Sequence, residues 1–427
     1  MAIMQYQDRK KGIIIGATIG DALCGPLEGF GPGHIRSIFG RITDYTDPSP
    51  ALKGKPERWR KPGLYSSISQ MIMLMLLTAR KGRDMDMRAF VRALENNPPV
   101  EGHPFGAFRH PGAAERSLIE RPSRSQETVP SIGCARTAAI AAAASTVMKT
   151  ENSPRLEALQ GARAFTRDCH SLAAALVFGA LLDSLVTVAG LPPHSGLFEL
   201  ASASAGETAR TIDSLSGQVF AAGINPETLL CAVMDFRRLF DHLAPLSAHD
   251  EAVRAICTTV NLHLASPVTR ATVNHPLALP PYALVLCAMH RDLPGEALYS
   301  AASAGGSCAP LGSLCGMLAG AAAGTDWIPP ALLAGLVNRR RVLAMAEAVA
   351  GGAHSGDARD FLAGEALLTG KEIEEFTARN RHRTGSSGKK RERKDPEREL
   401  SRHVVESWTK IDKARYKKER RRGDGSD

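Results

Sequence analysis

Apolar residues recur along this chain at steps of three and four. After Asn225, the residues Leu229, Val233, Phe236, Phe240 and Leu243 fall on one face of an α-helix. Asn225 is a suitable N-cap, and Pro226 occupies the first helical position, where a missing N–H costs nothing. Similar patterns predict helices around 134–148, 171–188, 250–264, 281–290 and 330–349. Strand patterning is weak, and its best candidate, 35–45, reads as a short hairpin. Segment 96–131 is rich in Pro, Gly, Arg and Ser and reads as a long loop.

Two glycine series interrupt this pattern. Gly12, Gly16 and Gly20 are spaced by four, and so are Gly312, Gly316, Gly320 and Gly324. An interior helical glycine costs about 1 kcal/mol against alanine. Glycines four apart leave a bare stripe on one helical face, where another backbone can come close. Two readings stay open: ordinary close packing, or two central helices that meet here and present their ends to a pocket.

Composition sharpens the fold class. Aromatic residues make up 5% of 427, while Ala and Leu abound, so an all-α protein is expected. Eight cysteines include no Cys-x-x-Cys pair and no zinc-finger spacing, and they read as free, buried thiols of a reducing compartment. Residues 1–11 are polar and lack the apolar core of a secretion signal. The apolar runs 71–77 and 311–324 fall short of the roughly 20 residues that span a bilayer. A soluble, cytoplasmic protein without a membrane partner is expected.

Charge divides the chain. Residues 379–427 carry 18 Lys/Arg against 9 Asp/Glu, so the whole net charge of +9 lies there and the body is neutral. The expected organisation is a helical body over 1–378, a flexible basic linker over 379–395 and a basic amphipathic helical tail over 396–427. Leu400, Val404, Trp408 and Ile411 form the apolar stripe of that tail. An anionic partner for 379–422, either nucleic acid or an acidic protein face, is one reading of the charge, and a solvated tail is the other.

Three segments carry candidate chemistry. The first is Gly20-Asp21-Ala22-Leu23-Cys24-Gly25-Pro26-Leu27-Glu28. Its carboxylates flank a tight turn, either pointing into one cavity or serving as a turn partner (Asp21) and a solvated group (Glu28). The second places Ser66, Ser67, Ser69 and Gln70 at the start of an apolar helix, as N-cap chemistry also does. The third, Gly305-Gly306-Ser307-Cys308-Ala309-Pro310, opens the later glycine-striped helix. Free N–H groups there would suit an anion, and Pro310 also fits a plain helix start.

Together and in this order, the segments resemble the ADP-ribosylglycohydrolase family, which includes the dinitrogenase reductase-activating glycohydrolase. Its first signature, of the type Gly-Asp-Ala-Leu-Gly-x-Pro-x-Glu, is matched by Gly20 to Glu28. Its Thr-Asp-Asp-Thr-x-Met falls on Ser66 to Met71, and its Gly-Gly-Asp-Thr-Asp-Thr on Gly305 to Pro310. Pro281-Tyr282-Ala283-Leu284, Trp327-Ile328-Pro329, Gly133-Cys134-Ala135-Arg136 and Phe165-Thr166 fall where the family has related segments. The resemblance spans roughly 11–350 and implies a bundle of many helices around a central cleft.

The resemblance also implies two magnesium or manganese ions, bound by the Thr-Asp-Asp of the second motif and the two Asp and last Thr of the third. Those positions here are Ser66, Ser67, Ile68, Ser307, Ala309 and Pro310. Magnesium takes oxygen ligands, usually with carboxylate charge, and four carboxylates are gone. Arg167 stands where the family pairs a His with Thr166, and His170 is no equivalent. Cys24 and Cys308 are expected to be neighbours without a third zinc ligand. No metal or other cofactor is therefore expected. Asp21, Ser66, Ser67, Ser69, Gln70, Gly305, Gly306 and Ser307 are the candidate ligand-binding residues, and Glu28 is the candidate catalytic one. The leading expectation is a catalytically degenerate binding or regulatory module for an ADP-ribose-like or nucleotide ligand. An active glycohydrolase with a metal-poor site around Glu28 is one alternative. An interaction protein acting through its basic tail is another.

Overall fold

The structure, a computed structural model, describes residues 2–52, 55–79, 86–124, 128–148, 156–188, 190–352 and 357–384. Among them are eighteen α-helices and no strand. The first half holds α1 (Ala2–Cys24), α2 (Pro32–Phe39), α3 (Ser67–Thr78), α4 (Met87–Glu95), α5 (Ala113–Glu120) and α6 (Ala135–Met148). Then come α7 (Leu156–Arg163), α8 (Cys169–Thr187), α9 (His194–Ser214), α10 (Ser216–Ala221), α11 (Pro226–Leu243) and α12 (His249–Asn261). The last are α13 (Leu279–Met289), α14 (Pro294–Ala304), α15 (Cys308–Ala323), α16 (Pro330–Gly335), α17 (Arg339–Ala350) and α18 (Ala358–Thr384). The first compact unit spans Met1–Phe376.

Most of the periodic segments form helices as their patterns require. In α11, Asn225 Oδ1 accepts from the amides of Glu227 and Thr228 at 2.9 and 3.2 Å, and all five stripe residues are buried. Four expectations fail locally. Residues 35–45 make no hairpin, because Pro32 starts α2 and buries Ile35. The 96–131 loop contains α5, whose first turn is capped by Glu115 accepting from the Gly112 amide at 2.8 Å. The helix expected over 330–349 breaks into α16 and α17, with Asn338 in the left-handed region at φ 62°. The linker expected from 379 begins as helix, since α18 runs to Thr384. The amphipathic tail helix lies outside the described residues.

The two glycine stripes meet. Helices α1 and α15 form the most extensive helix pair of the body. A methyl group on Gly16 would run into the carbonyl oxygen of Gly316, and one on Gly20 into that of Gly312. The contact therefore needs glycine on both sides, and dispersion between close backbones offsets the poor helix propensity. It sets the C-terminal end of α1 beside the N-terminal end of α15, where the first and third motifs lie.

Helix α8 is long and apolar enough to cross a bilayer, but most of it is buried against α6, α7, α9 and α11. Such all-round apolarity is what a central core helix requires. Helix α18 is fastened by buried charge: Glu365 meets Arg109, Tyr65 and Gln70, and Glu372 meets His110 and the Lys61 amide.

Candidate functional site

Asp21 sits in the last turn of α1 and is fully buried. Its Oδ1 accepts from Ser66 Oγ at 2.7 Å. Its Oδ2 accepts from the Ser66 amide at 2.9 Å, the Ser69 amide at 3.2 Å and Ser69 Oγ at 2.7 Å. Asp21 is thus a capping group, but for α3 rather than for its own turn. The carboxylate fills the anion position at a helix N-terminus. Burial pushes its carboxyl above the usual range, against the hydrogen bonds from Ser69 and Ser66 and the nearby Arg136.

The other second-motif residues are also turned inward. Ser67 Oγ donates to Glu115 and accepts from Arg136 Nη2 at 3.0 Å. The Gln70 amide donates to the Ala107 carbonyl at 2.8 Å and to Glu365 at 3.0 Å, and its oxygen accepts from the Arg109 amide at 2.9 Å. Ser66, Ser67, Ser69 and Gln70 are all buried. Each makes its hydrogen bonds within the protein.

Glu28 follows the 3-10 turn Gly25–Leu27 and is partly exposed. It is not a solvated free carboxylate. Arg60 Nη1 lies 2.7 Å from its Oε2, and Arg136 Nη1 3.5 Å from its Oε1. Burial opposes its charge, but Arg60 and then Arg136 outweigh burial and hold the carboxyl below the usual range. Arg136 is buried too. Burial alone would weaken its protonation, and Glu115 with Glu28 reverses that. Arg58 donates to the Glu28 carbonyl at 3.1 Å and stacks over Phe30.

The third motif pairs with the first through backbone. The Gly29 amide donates to the Gly306 carbonyl at 2.7 Å, and the Gly306 amide donates to that of Phe30 at 2.8 Å. The Ser307 amide donates to the Thr272 carbonyl at 2.9 Å. The N–H groups of Gly306 and Ser307, read from sequence as free for an anion, are therefore engaged. Gly306 has φ 61°, and a Cβ there would lie 2.5 Å from Thr272 Oγ1, so only glycine fits. Cys308 Sγ lies 3.2 Å from the Cys24 carbonyl, and both thiols are buried.

The family's pair of divalent ions does not fit these residues. Ile68, Ala309 and Pro310 are buried and have no side-chain oxygen to offer. Ser66 Oγ is committed to Asp21, and Ser67 Oγ lies between Glu115 and a permanent guanidinium cation. Hard cations need several free oxygens with compensating charge, and this set supplies neither.

Sequence reading missed Glu115, Arg60, Arg109 and Glu365. One signal was present: Arg136 is the sole charged residue of the Ala-rich α6, and a charge on a core helix needs a partner. Its partners come from distant loops and left no periodic trace. A cavity of about 580 Å³ adjoins the third motif, lined in part by Pro32, Arg36, Arg270, Thr272 and Ala304. Asp21, Ser66 and Gln70 are not in its wall.

Among solved structures, one described as an "ADP-ribosylglycohydrolase-related protein complex" aligns at 19% identity and a TM-score of 0.49, over 83% of this chain and 100% of that one. No curated protein matches the chain. The family model described as ADP-ribosylglycohydrolase matches residues 3–358. The chain belongs to the ADP-ribosylglycohydrolase family.

Proposed function

We propose that this chain is a non-catalytic member of the family that binds an ADP-ribose-like or nucleotide anion. The observation that carries the reading is the internal closure of the donor set. Asp21 is spent on Ser66 and Ser69, Ser67 on Glu115 and Arg136, and the remaining positions of the metal-binding motifs lack carboxylates. Metal-assisted hydrolysis needs ions that orient water and stabilise charge. The competing reading makes Glu28 a general base. Its pairing with Arg60 and Arg136 speaks against that, because a base held below its ordinary range is a poor proton acceptor.

Anion binding is supported by the arginines that remain. Arg36 and Arg270 line the cavity beside the third motif, and Arg58 and Arg60 flank Glu28. Guanidinium groups suit the paired oxygens of phosphates. The test is calorimetric titration of the full-length protein with ADP-ribose, with and without magnesium. Binding of equal strength in both, weakened at least tenfold by Arg270→Ala with Arg36→Ala, is the expected result. No ADP-ribose should be released from ADP-ribosylated arginine or serine peptides. Turnover that disappears in Glu28→Gln would establish a hydrolase instead.

A further inference from the structure

Outside the three motifs in sequence, two histidines and an aspartate converge from three elements. His170 lies in the first turn of α8, Asp235 in the middle of α11, and His263 just after α12. His170 Nε2 is 3.0 Å from Asp235 Oδ2, and His263 Nε2 is 3.6 Å from the same oxygen. All three ligand atoms lie within 4.8 Å of one another. The two imidazoles meet edge to face, with ring centroids 4.5 Å apart.

An ordinary ion pair would satisfy the carboxylate with one histidine. Here two Nε2 atoms approach one oxygen. A tetrahedral zinc ion with ligand bonds of about 2.0–2.2 Å sets neighbouring ligand atoms about 3.3–3.6 Å apart. The two separations from Asp235 span that spacing, so small side-chain shifts would complete the geometry. The side chains of His170, Asp235 and His263 are 20%, 22% and 29% exposed, which leaves an ion a way in from solvent. Arg238 also reaches Asp235, at 3.4 Å, but its side chain is 75% exposed and can swing away.

We propose that His170, Asp235 and His263 form a site for one divalent transition-metal ion of the zinc class, with a fourth position open to water. Two imidazoles and a carboxylate match zinc, whereas magnesium prefers oxygen alone. None of its three residues belongs to the degenerate motifs. A bound ion would tie α8 to α11 and to the segment after α12.

The test uses full-length protein stripped of metal and then equilibrated with Zn²⁺ or Co²⁺. The expected result is one zinc ion per chain, with affinity at least tenfold weaker in Asp235→Asn and in His263→Gln. The cobalt spectrum should show nitrogen and oxygen ligation without a thiolate charge-transfer band, which separates this site from the eight cysteines. Metal-free melting of both variants should match the wild type, because the side chains are partly exposed. Zinc uptake that is absent, equal in wild type and both variants, or accompanied by a thiolate band would overturn the proposal.

Discussion

Arg109 Nη2 lies 2.5 Å from Glu365 Oε2, and neither side chain reaches solvent. The pair holds α18 against the loop before α5, with Tyr65 Oη donating to the other carboxylate oxygen at 2.6 Å. Removing one member of a buried pair strands the other, at a cost of about 3–5 kcal/mol. Arg109→Met should therefore lower stability by about that amount. Adding Glu365→Gln removes the stranded charge and should recover part of the loss. Denaturant midpoints for the two single variants and the double variant check this, and simple additivity would contradict the pairing.

Acid should loosen the same helix. Burial opposes the Glu372 charge, but His110 and the Lys61 amide overcome it and push the carboxyl down to about 2. A depressed folded pKa means that the unfolded chain binds more protons in between. The stabilisation is complete above the ordinary value of 4.5 and is lost as pH falls toward about 2. The whole window corresponds to about 3 kcal/mol. Urea midpoints at pH 5.5 and near pH 2.5 should differ by less in Glu372→Gln than in wild type. An unchanged difference would show that Glu372 is not the group responsible.

Two glycine substitutions should act in opposite directions. Gly316→Ala places a methyl against the Gly16 carbonyl, where neither backbone can yield cheaply, and a loss of more than about 2 kcal/mol is expected. Gly370, within α18, has no neighbouring atom within 4 Å of the point where a methyl would sit, so Gly370→Ala should gain about 0.5–1 kcal/mol. Thermal or denaturant unfolding distinguishes them. Equal effects would mean that α1 and α15 are not held by backbone contact.

The charge of residues 385–427 predicts an electrostatic arm. Full-length protein should bind mixed-sequence RNA or DNA with an affinity that falls steeply between low and physiological salt, as counterion release requires. Protein ending at Thr384 should lose that binding and keep its stability within about 0.5 kcal/mol. Filter binding at two salt concentrations and a melting curve are sufficient. Equal binding by both proteins would rule the arm out.

The sequence by itself determined most of the long core helices and the family resemblance. Helix-forming pattern, caps such as Asn225 and glycine spacing act over a few residues, so they can be read locally. The glycine stripes offered the contact of α1 with α15 as one of two readings, because costly helical glycines call for a close backbone neighbour. The loss of metal-ligand carboxylates was equally visible, since Ile68, Ala309 and Pro310 cannot supply side-chain oxygens in any fold.

Only the tertiary structure decided what the surviving polar residues do. Asp21 and Ser69 are 48 positions apart, and Arg109 and Glu365 are 256 apart. No periodicity links such residues; burial does, because a charge removed from water must find its partner wherever the fold brings one. That is why Glu28, which the sequence left as a candidate base, lies between Arg60 and Arg136. It is also why His170, set aside in the sequence, meets Asp235 and His263. Local pattern shapes helices, whereas the chemistry of a site depends on which helices the core packs together.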